Sequence, residues 1–82
     1  MADVLLSERA HEWLETQQPD IADRVKQKLR RAGENPEHFL EPLKGVPEYK
    51  LRIGDYRAII EWRKPDAELR VQKIGHRKDI YR

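Results

Sequence analysis

Tyr49-Lys50-Leu51-Arg52-Ile53-Gly54-Asp55-Tyr56-Arg57-Ala58-Ile59-Ile60 is the stretch that decides the fold. Apolar residues alternate with polar ones up to Gly54-Asp55, a pair of the kind that closes a two-residue hairpin, and a second alternating run begins at Tyr56. A tight turn there places Ile53 opposite Tyr56, Arg52 opposite Arg57, Leu51 opposite Ala58 and Lys50 opposite Ile59. Side chains in strands alternate between faces, so Tyr49, Leu51, Ile53, Tyr56, Ala58, Ile60 and Trp62 share the core face. Lys50, Arg52 and Arg57 share the other, and Arg70 is expected to join them from the next strand. Like charges directly opposite destabilise a sheet by up to roughly 1 kcal/mol. A sequence shaped by stability alone would place Glu or Thr at one of these positions. Glu61 shares the face and offsets part of the repulsion.

Working outward, a second turn around Lys64-Pro65-Asp66 leads into a third strand, Leu69-Arg70-Val71-Gln72-Lys73-Ile74. Upstream, Glu34 to Glu48 contains Pro36, Pro42, Pro47 and Gly45 and reads as a connecting loop that tucks Phe39, Leu40 and Leu43 against the core. Before it the period is helical. Ile21, Val25 and Leu29 recur every four residues, with Ala22 and Ala32 alongside, and Gly33 reads as a left-handed stop. Ala10, Trp13 and Leu14 mark an earlier helix that follows the N-cap residue Ser7, and Gln17-Gln18-Pro19 joins the two as a helical hairpin. Val4-Leu5-Leu6 reads as a first strand. The expected architecture is a two-layer α+β domain over residues 1–82: a strand, a helical hairpin, then a three-stranded antiparallel meander that completes a small sheet.

The chain has 82 residues and no cysteine, which removes disulfides, thiolate metal sites and cysteine nucleophiles. His11, His38 and His76 are far apart and none has a partner at ligand spacing, so no metal or other cofactor is expected. No apolar run approaches the roughly 20 residues of a membrane span, and the N-terminus lacks the features of a signal peptide, so a cytoplasmic location is expected. Residues 1–48 carry 7 Lys/Arg against 10 Asp/Glu, a balance of −3; residues 49–82 carry 10 against 5, a balance of +5. A basic half of this kind suits a polyanion, nucleic acid being the commonest. The basic sheet face has two uses open to it. It can grip phosphates passively, or it can neutralise the phosphorane formed when an RNA phosphodiester is cleaved, which also requires an acid and a base. The tail Gly75-His76-Arg77-Lys78-Asp79-Ile80-Tyr81-Arg82 leaves the last strand beside the same face. Trp13, Trp62 and Tyr56 lie on the inferred apolar stripe and read as core residues.

Leu43-Lys44-Gly45, the stretch from Tyr49 to Ile60, Gly75-His76-Arg77 and Ile80-Tyr81-Arg82 together resemble the RelE family of toxins, within the RelE/ParE superfamily of toxin–antitoxin modules. The resemblance spans nearly the whole chain. It implies a cytoplasmic toxin held by a cognate RelB-like antitoxin, which would wrap an acidic amphipathic segment over the domain. It further implies an mRNA interferase, a metal-independent endoribonuclease that cleaves mRNA on the ribosome and leaves a 2′,3′-cyclic phosphate and a 5′-hydroxyl. The implied catalytic set falls on Lys50, Arg52, Arg57, Arg77 and Tyr81; Arg70 on the sheet face and His76 and Lys78 in the tail are expected beside it as RNA contacts. Arg57 would meet the scissile phosphate, Lys50 and Arg52 would stabilise charge, and Arg77 would assist the leaving oxygen. Tyr81 would orient or deprotonate the 2′-OH, a base role that needs nearby cations to lower a phenol pKa ordinarily about 10. Arg52 stands where some RelE-type enzymes have a second lysine, and arginine clamps phosphate without exchanging a proton near neutrality. With Arg82 one residue beyond Tyr81, the family's optional C-terminal helix is expected to be missing or reduced. ParE-like members share the fold, lack this basic set and inhibit DNA gyrase without chemistry, which is the competing expectation, alongside a relative that only binds nucleic acid or protein.

Overall fold

The computed structural model of the chain describes residues 1–80. Strand β1 (Asp3–Leu6) leads into helices α1 (Glu8–Glu15) and α2 (Pro19–Glu34), a single turn α3 (Pro36–Phe39), and strands β2 (Leu40–Pro42), β3 (Tyr49–Ile53), β4 (Tyr56–Arg63) and β5 (Glu68–His76). Among the described residues the strands form one sheet in the order β1-β5-β4-β3-β2. β1 runs parallel to β5 at one edge, and every other pairing is antiparallel. This is the α+β architecture expected. No described helix is long and apolar enough to cross a membrane.

The hairpin register is the one its turn dictates: Ile53 pairs with Tyr56, Arg52 with Arg57, Leu51 with Ala58 and Lys50 with Ile59. Gly54 takes φ +60°, the positive value that the first central position of a type II′ turn requires and that glycine adopts at no steric cost. Leu51, Ile53, Ala58 and Ile60 are buried under the helices with Leu69, Val71 and Ile74. Helix α1 lies mainly along β5, and α2 across β1 and β3. From α2, Val25, Leu29 and Ala32 complete the core. Trp13 meets Tyr56 edge-on with ring centroids 5.5 Å apart, and Tyr49 meets Trp62 likewise at 5.4 Å, so the aromatic residues pack against the core. Ser7 caps α1, its hydroxyl accepting the Ala10 N–H at 3.0 Å and donating to the Gln72 carbonyl at 2.7 Å.

Three local expectations are corrected. Part of the loop is β2, whose Leu40 and Glu41 pair with Leu51 and Lys50; Pro42 is tolerated because the strand is at the sheet edge. Strand β5 carries a bulge, with Ile59 opposite Lys73 and Ile60 opposite Val71, which leaves Gln72 unmatched. The extra residue shifts the alternation, so Leu69, Val71 and Ile74 all reach the core while Lys73 points away from it. Finally, Gly33 is not a left-handed stop, since Gly45 and Gly54 are the described glycines with positive φ. It lies within α2 where β1 crosses. A Cβ there would sit 2.8 Å from the Ala2 carbonyl oxygen and 2.9 Å from Val4 Cγ2, and the Ala2 N–H donates to the Gly33 carbonyl at 2.6 Å. Alanine is the better helix former by about 1 kcal/mol, yet overpacking typically costs about 1–3 kcal/mol. Gly33→Ala is therefore expected to lower Tm by about 4–8 °C, the shift for a net loss near 1 kcal/mol, measured by thermal melting. A raised Tm would show that β1 yields freely.

Candidate nucleic-acid interface

The paired strands order the side chains on the sheet face away from the helices. One row across the sheet reads Arg52, Arg57, Gly75; the next reads Glu41, Lys50, Ile59, Lys73; further from the turn Glu61 pairs with Arg70. Lys50, Arg52, Arg57 and Arg70 thus share the face expected of them. Lys73 joins them through the bulge. Its signal is in the sequence, because apolar residues at 69, 71 and 74 break a strict two-residue period.

The cations differ in what holds them. Arg57 folds back on its own turn, with Nη1 donating to the carbonyls of Gly54 and Tyr56 at 2.7 Å each. That contact pins the guanidinium at the hairpin end and leaves Nε and Nη2 without a hydrogen-bond partner among the described residues. Glu41 Oε2 lies 3.7 Å from Lys50 Nζ and 3.5 Å from Arg52 Nε. The carboxylate that relieves the crowded cations is therefore Glu41 of β2, while Glu61 pairs instead with Arg63 at 3.5 Å. Arg63 also meets Asp66 at 3.1 Å, and this hydrogen bond, reinforced by the charges of Asp66 and Glu61, raises its pKa above the usual arginine value. Arg70 Nε is 3.3 Å from Glu68 Oε1, so the end of the face far from the turn is charge-balanced. The cationic character is concentrated near the turn.

Such exposed pairs are worth only about 0–1 kcal/mol, so an arriving phosphate can displace Glu41. Glu41→Gln is expected to tighten binding of a short RNA about two- to fivefold, the equivalent of up to about 1 kcal/mol, read by fluorescence anisotropy. Weaker binding would mean that Glu41 positions the two cations productively.

The tail is tied to the same end. The Arg77 N–H donates to the Asp55 carbonyl at 2.8 Å, and the N–H groups of Asp79 and Ile80 donate to the His76 carbonyl at 2.8 and 3.0 Å. Ile80 is buried, and its Cδ1 would be 3.4 Å from a Cβ placed on Gly75, so the turn folds back over the Gly75 position beside Arg57. His76 stands on the other face: it pairs with Tyr56 on the helix side, its ring edge-on to that of Tyr56 at 5.8 Å, and its Nδ1 accepts the Lys78 N–H at 3.2 Å. The alternation that sends Gly75 to the open face sends His76 to the other. Arg77 and Lys78 are at the turn, and Tyr81 lies outside the described residues. Among the described residues no group of three His, Asp or Glu side chains is placed to hold a metal ion.

No curated protein matches the chain. Among solved structures, the toxin–antitoxin complex RelBE of E. coli is 25% identical, with a TM-score of 0.77 over 93% of this chain and 96% of that one. The RelBE2 complex of Mycobacterium tuberculosis is 19% identical with a TM-score of 0.85 over 93% and 98%, and the YoeB/ParE toxin of Agrobacterium tumefaciens is 17% identical with a TM-score of 0.74 over 90% and 96%. The latter two share the fold. A family model described as the ParE toxin of the type II toxin–antitoxin system parDE matches residues 4–81. With that match across almost its whole length, and a fold shared with the RelE toxin of E. coli, the chain belongs to the ParE toxin family of type II toxin–antitoxin systems, within the RelE/ParE superfamily.

Proposed function

We propose that this toxin is an mRNA interferase acting on the ribosome, and that a RelB-like antitoxin with an acidic amphipathic segment neutralises it. The observation that carries the reading is the cross-strand pair Arg52–Arg57, flanked by Lys50 and Lys73, with Arg77 bonded through its backbone to the same hairpin turn. A basic cluster of this kind suits a phosphodiester whose charge grows during reaction. The ribose 2′-oxygen attacks the adjacent phosphorus, the P–O5′ bond breaks, and the products are a 2′,3′-cyclic phosphate and a 5′-hydroxyl. Arg57 offers Nε and Nη2 to the scissile phosphate, and its turn contacts hold it ready, so little reorganisation accompanies the reaction. Lys50, Arg52 and Lys73 balance the accumulating charge. Arg77 assists the departing oxygen, and Tyr81 orients or deprotonates the 2′-OH. Lys78 meets the flanking backbone, whereas Arg70 is held by Glu68 and His76 turns to the helices.

The antitoxin partnership draws on the matched family and on the RelBE structures, which are themselves toxin–antitoxin complexes. A second reading, inhibition of DNA gyrase without chemistry, is favoured by the ParE description of the matching family. Adding the purified toxin to a translation extract separates the two. New mRNA 5′ ends within codons support cleavage; intact mRNA combined with blocked supercoiling by gyrase overturns it.

A further inference from the structure

Helix α2 carries a second basic surface. At about 100° per residue, Arg24, Lys28 and Arg31 fall within an arc of about 60°, a stripe about 10 Å long on the flank next to the β3–β4 turn. Arg24 and Arg31 are exposed and Lys28 is half-buried. The opposite flank holds Lys26 and Arg30, and the core residues Val25, Leu29 and Ala32 lie between. Two features set the stripe apart from that flank, whose Lys26 and Arg30 also lack carboxylate partners among the described residues: an aromatic anchor and a place beside the hairpin turn. Lys50, Arg52, Arg63 and Arg70 each have a carboxylate partner, whereas Arg24, Lys28 and Arg31 have none among the described residues. Two of the three are held in place instead by an aromatic ring: Lys28 Nζ lies 4.7 Å from the centroid of Phe39, and the Arg31 guanidinium 5.5 Å. A ring fixes cations without neutralising them, so their charge stays available to a ligand.

The stripe also has a direction. Arg24 Nη1 comes within 3.8 Å of the Cβ position of Gly54, and Arg24, Gln27, Lys28 and Arg31 line one concavity with Ile53 and Gly54. Gly54 begins the turn that Arg57 caps. The stripe therefore meets the cationic sheet face at the hairpin, one on either side of it.

We propose that Arg24, Lys28 and Arg31 of α2 form a phosphate-backbone contact for RNA, continuous around the 54–55 turn with the cationic sheet face. The inference rests on the RNA-cleaving reading and adds where that RNA, or the structured RNA around it, is gripped outside the reacting centre. The three side chains are anchoring residues, not catalytic ones. Their role is sequence-independent and salt-sensitive, because each neutralised phosphate releases bound counterions.

The test titrates a fluorescein-labelled 20-nucleotide single-stranded RNA with the full chain at several salt concentrations. The triple variant Arg24→Gln/Lys28→Gln/Arg31→Gln is expected to bind at least about tenfold more weakly at low salt and to lose about 2 from the slope of log K against log salt, at about 0.7 per phosphate. Arg24→Gln alone, away from the Phe39 contact, is expected to lose about 0.7. The charge-keeping Arg24→Lys/Arg31→Lys variant is expected to retain the slope. An unchanged slope in the Gln variants, or no salt-dependent binding by the unsubstituted protein, overturns the proposal. Retained RNA binding with lost affinity for an acidic peptide assigns the stripe to a protein partner and overturns it too. The cleavage reading is judged separately, by mRNA 5′ ends. If those are missing while the slope change is present, only the nuclease falls; if cleavage occurs and the slope is unmoved, only the α2 contact falls.

Discussion

Arg57→Ala is expected to lower mRNA cleavage in a translation extract about 10²–10³-fold, the size of effect found when one preorganised donor to a developing oxyanion is removed. The side chain points away from the helices, so its loss leaves the core intact. It does not leave the protein untouched. Nη1 donates to two carbonyls of the hairpin turn, and removing a hydrogen bond from a charged donor costs about 1.5–3 kcal/mol. The variant should therefore lose nearly all activity while melting lower and still cooperatively. Arg57→Lys separates the two effects. An ammonium restores charge near the phosphate but not the planar fork, so stability should recover more than cleavage does. Cleavage by Arg57→Ala within tenfold of the original would remove the guanidinium from the mechanism.

The largest effect on stability is expected at Ile60. It is fully buried and lies in the central strand, facing Tyr49 on one side and Val71 on the other. Truncating a buried Ile to Ala costs about 2–5 kcal/mol, because transfer energy is lost and a cavity remains. For a chain of this size each kcal/mol moves Tm by roughly 4–8 °C, so Ile60→Ala should melt at least about 10 °C lower. In urea its midpoint should fall with an unchanged m-value, while Ile60→Val should cost only about 0.5–1.5 kcal/mol. A small loss for Ile60→Ala would mean that the helices close over the vacated space.

Arg57 and Ile60 are both legible in the sequence because both sit in the hairpin. A two-residue period and a Gly-Asp turn leave one register, and a slip by one residue would turn Leu51, Ala58 and Ile60 to solvent and the arginines inward. The same logic stops short at Gln72, where a bulge changes the alternation. The broken spacing at 69, 71 and 74 is visible along the chain, but only pairing with β4 shows which residue is extra. Gly33 misleads for a related reason. Glycine near a helix end suggests a terminus, and the need for close approach by β1 arises from a segment about thirty residues away.

Local order was the sequence's own contribution: the helical and two-residue periods, the Ser7 cap, the Gly54-Asp55 turn and the face each residue of the β3–β4 hairpin occupies, all set by neighbours along the chain. Which charges stand beside one another was left to the folded molecule. Residues 1–48 are net acidic, yet one flank of α2 presents three cations without carboxylate partners among the described residues, while Glu41 crosses from an unforeseen edge strand to Lys50 and Arg52. Ion pairing acts through space over a few ångströms, so its partners exist only once the sheet has brought distant segments together.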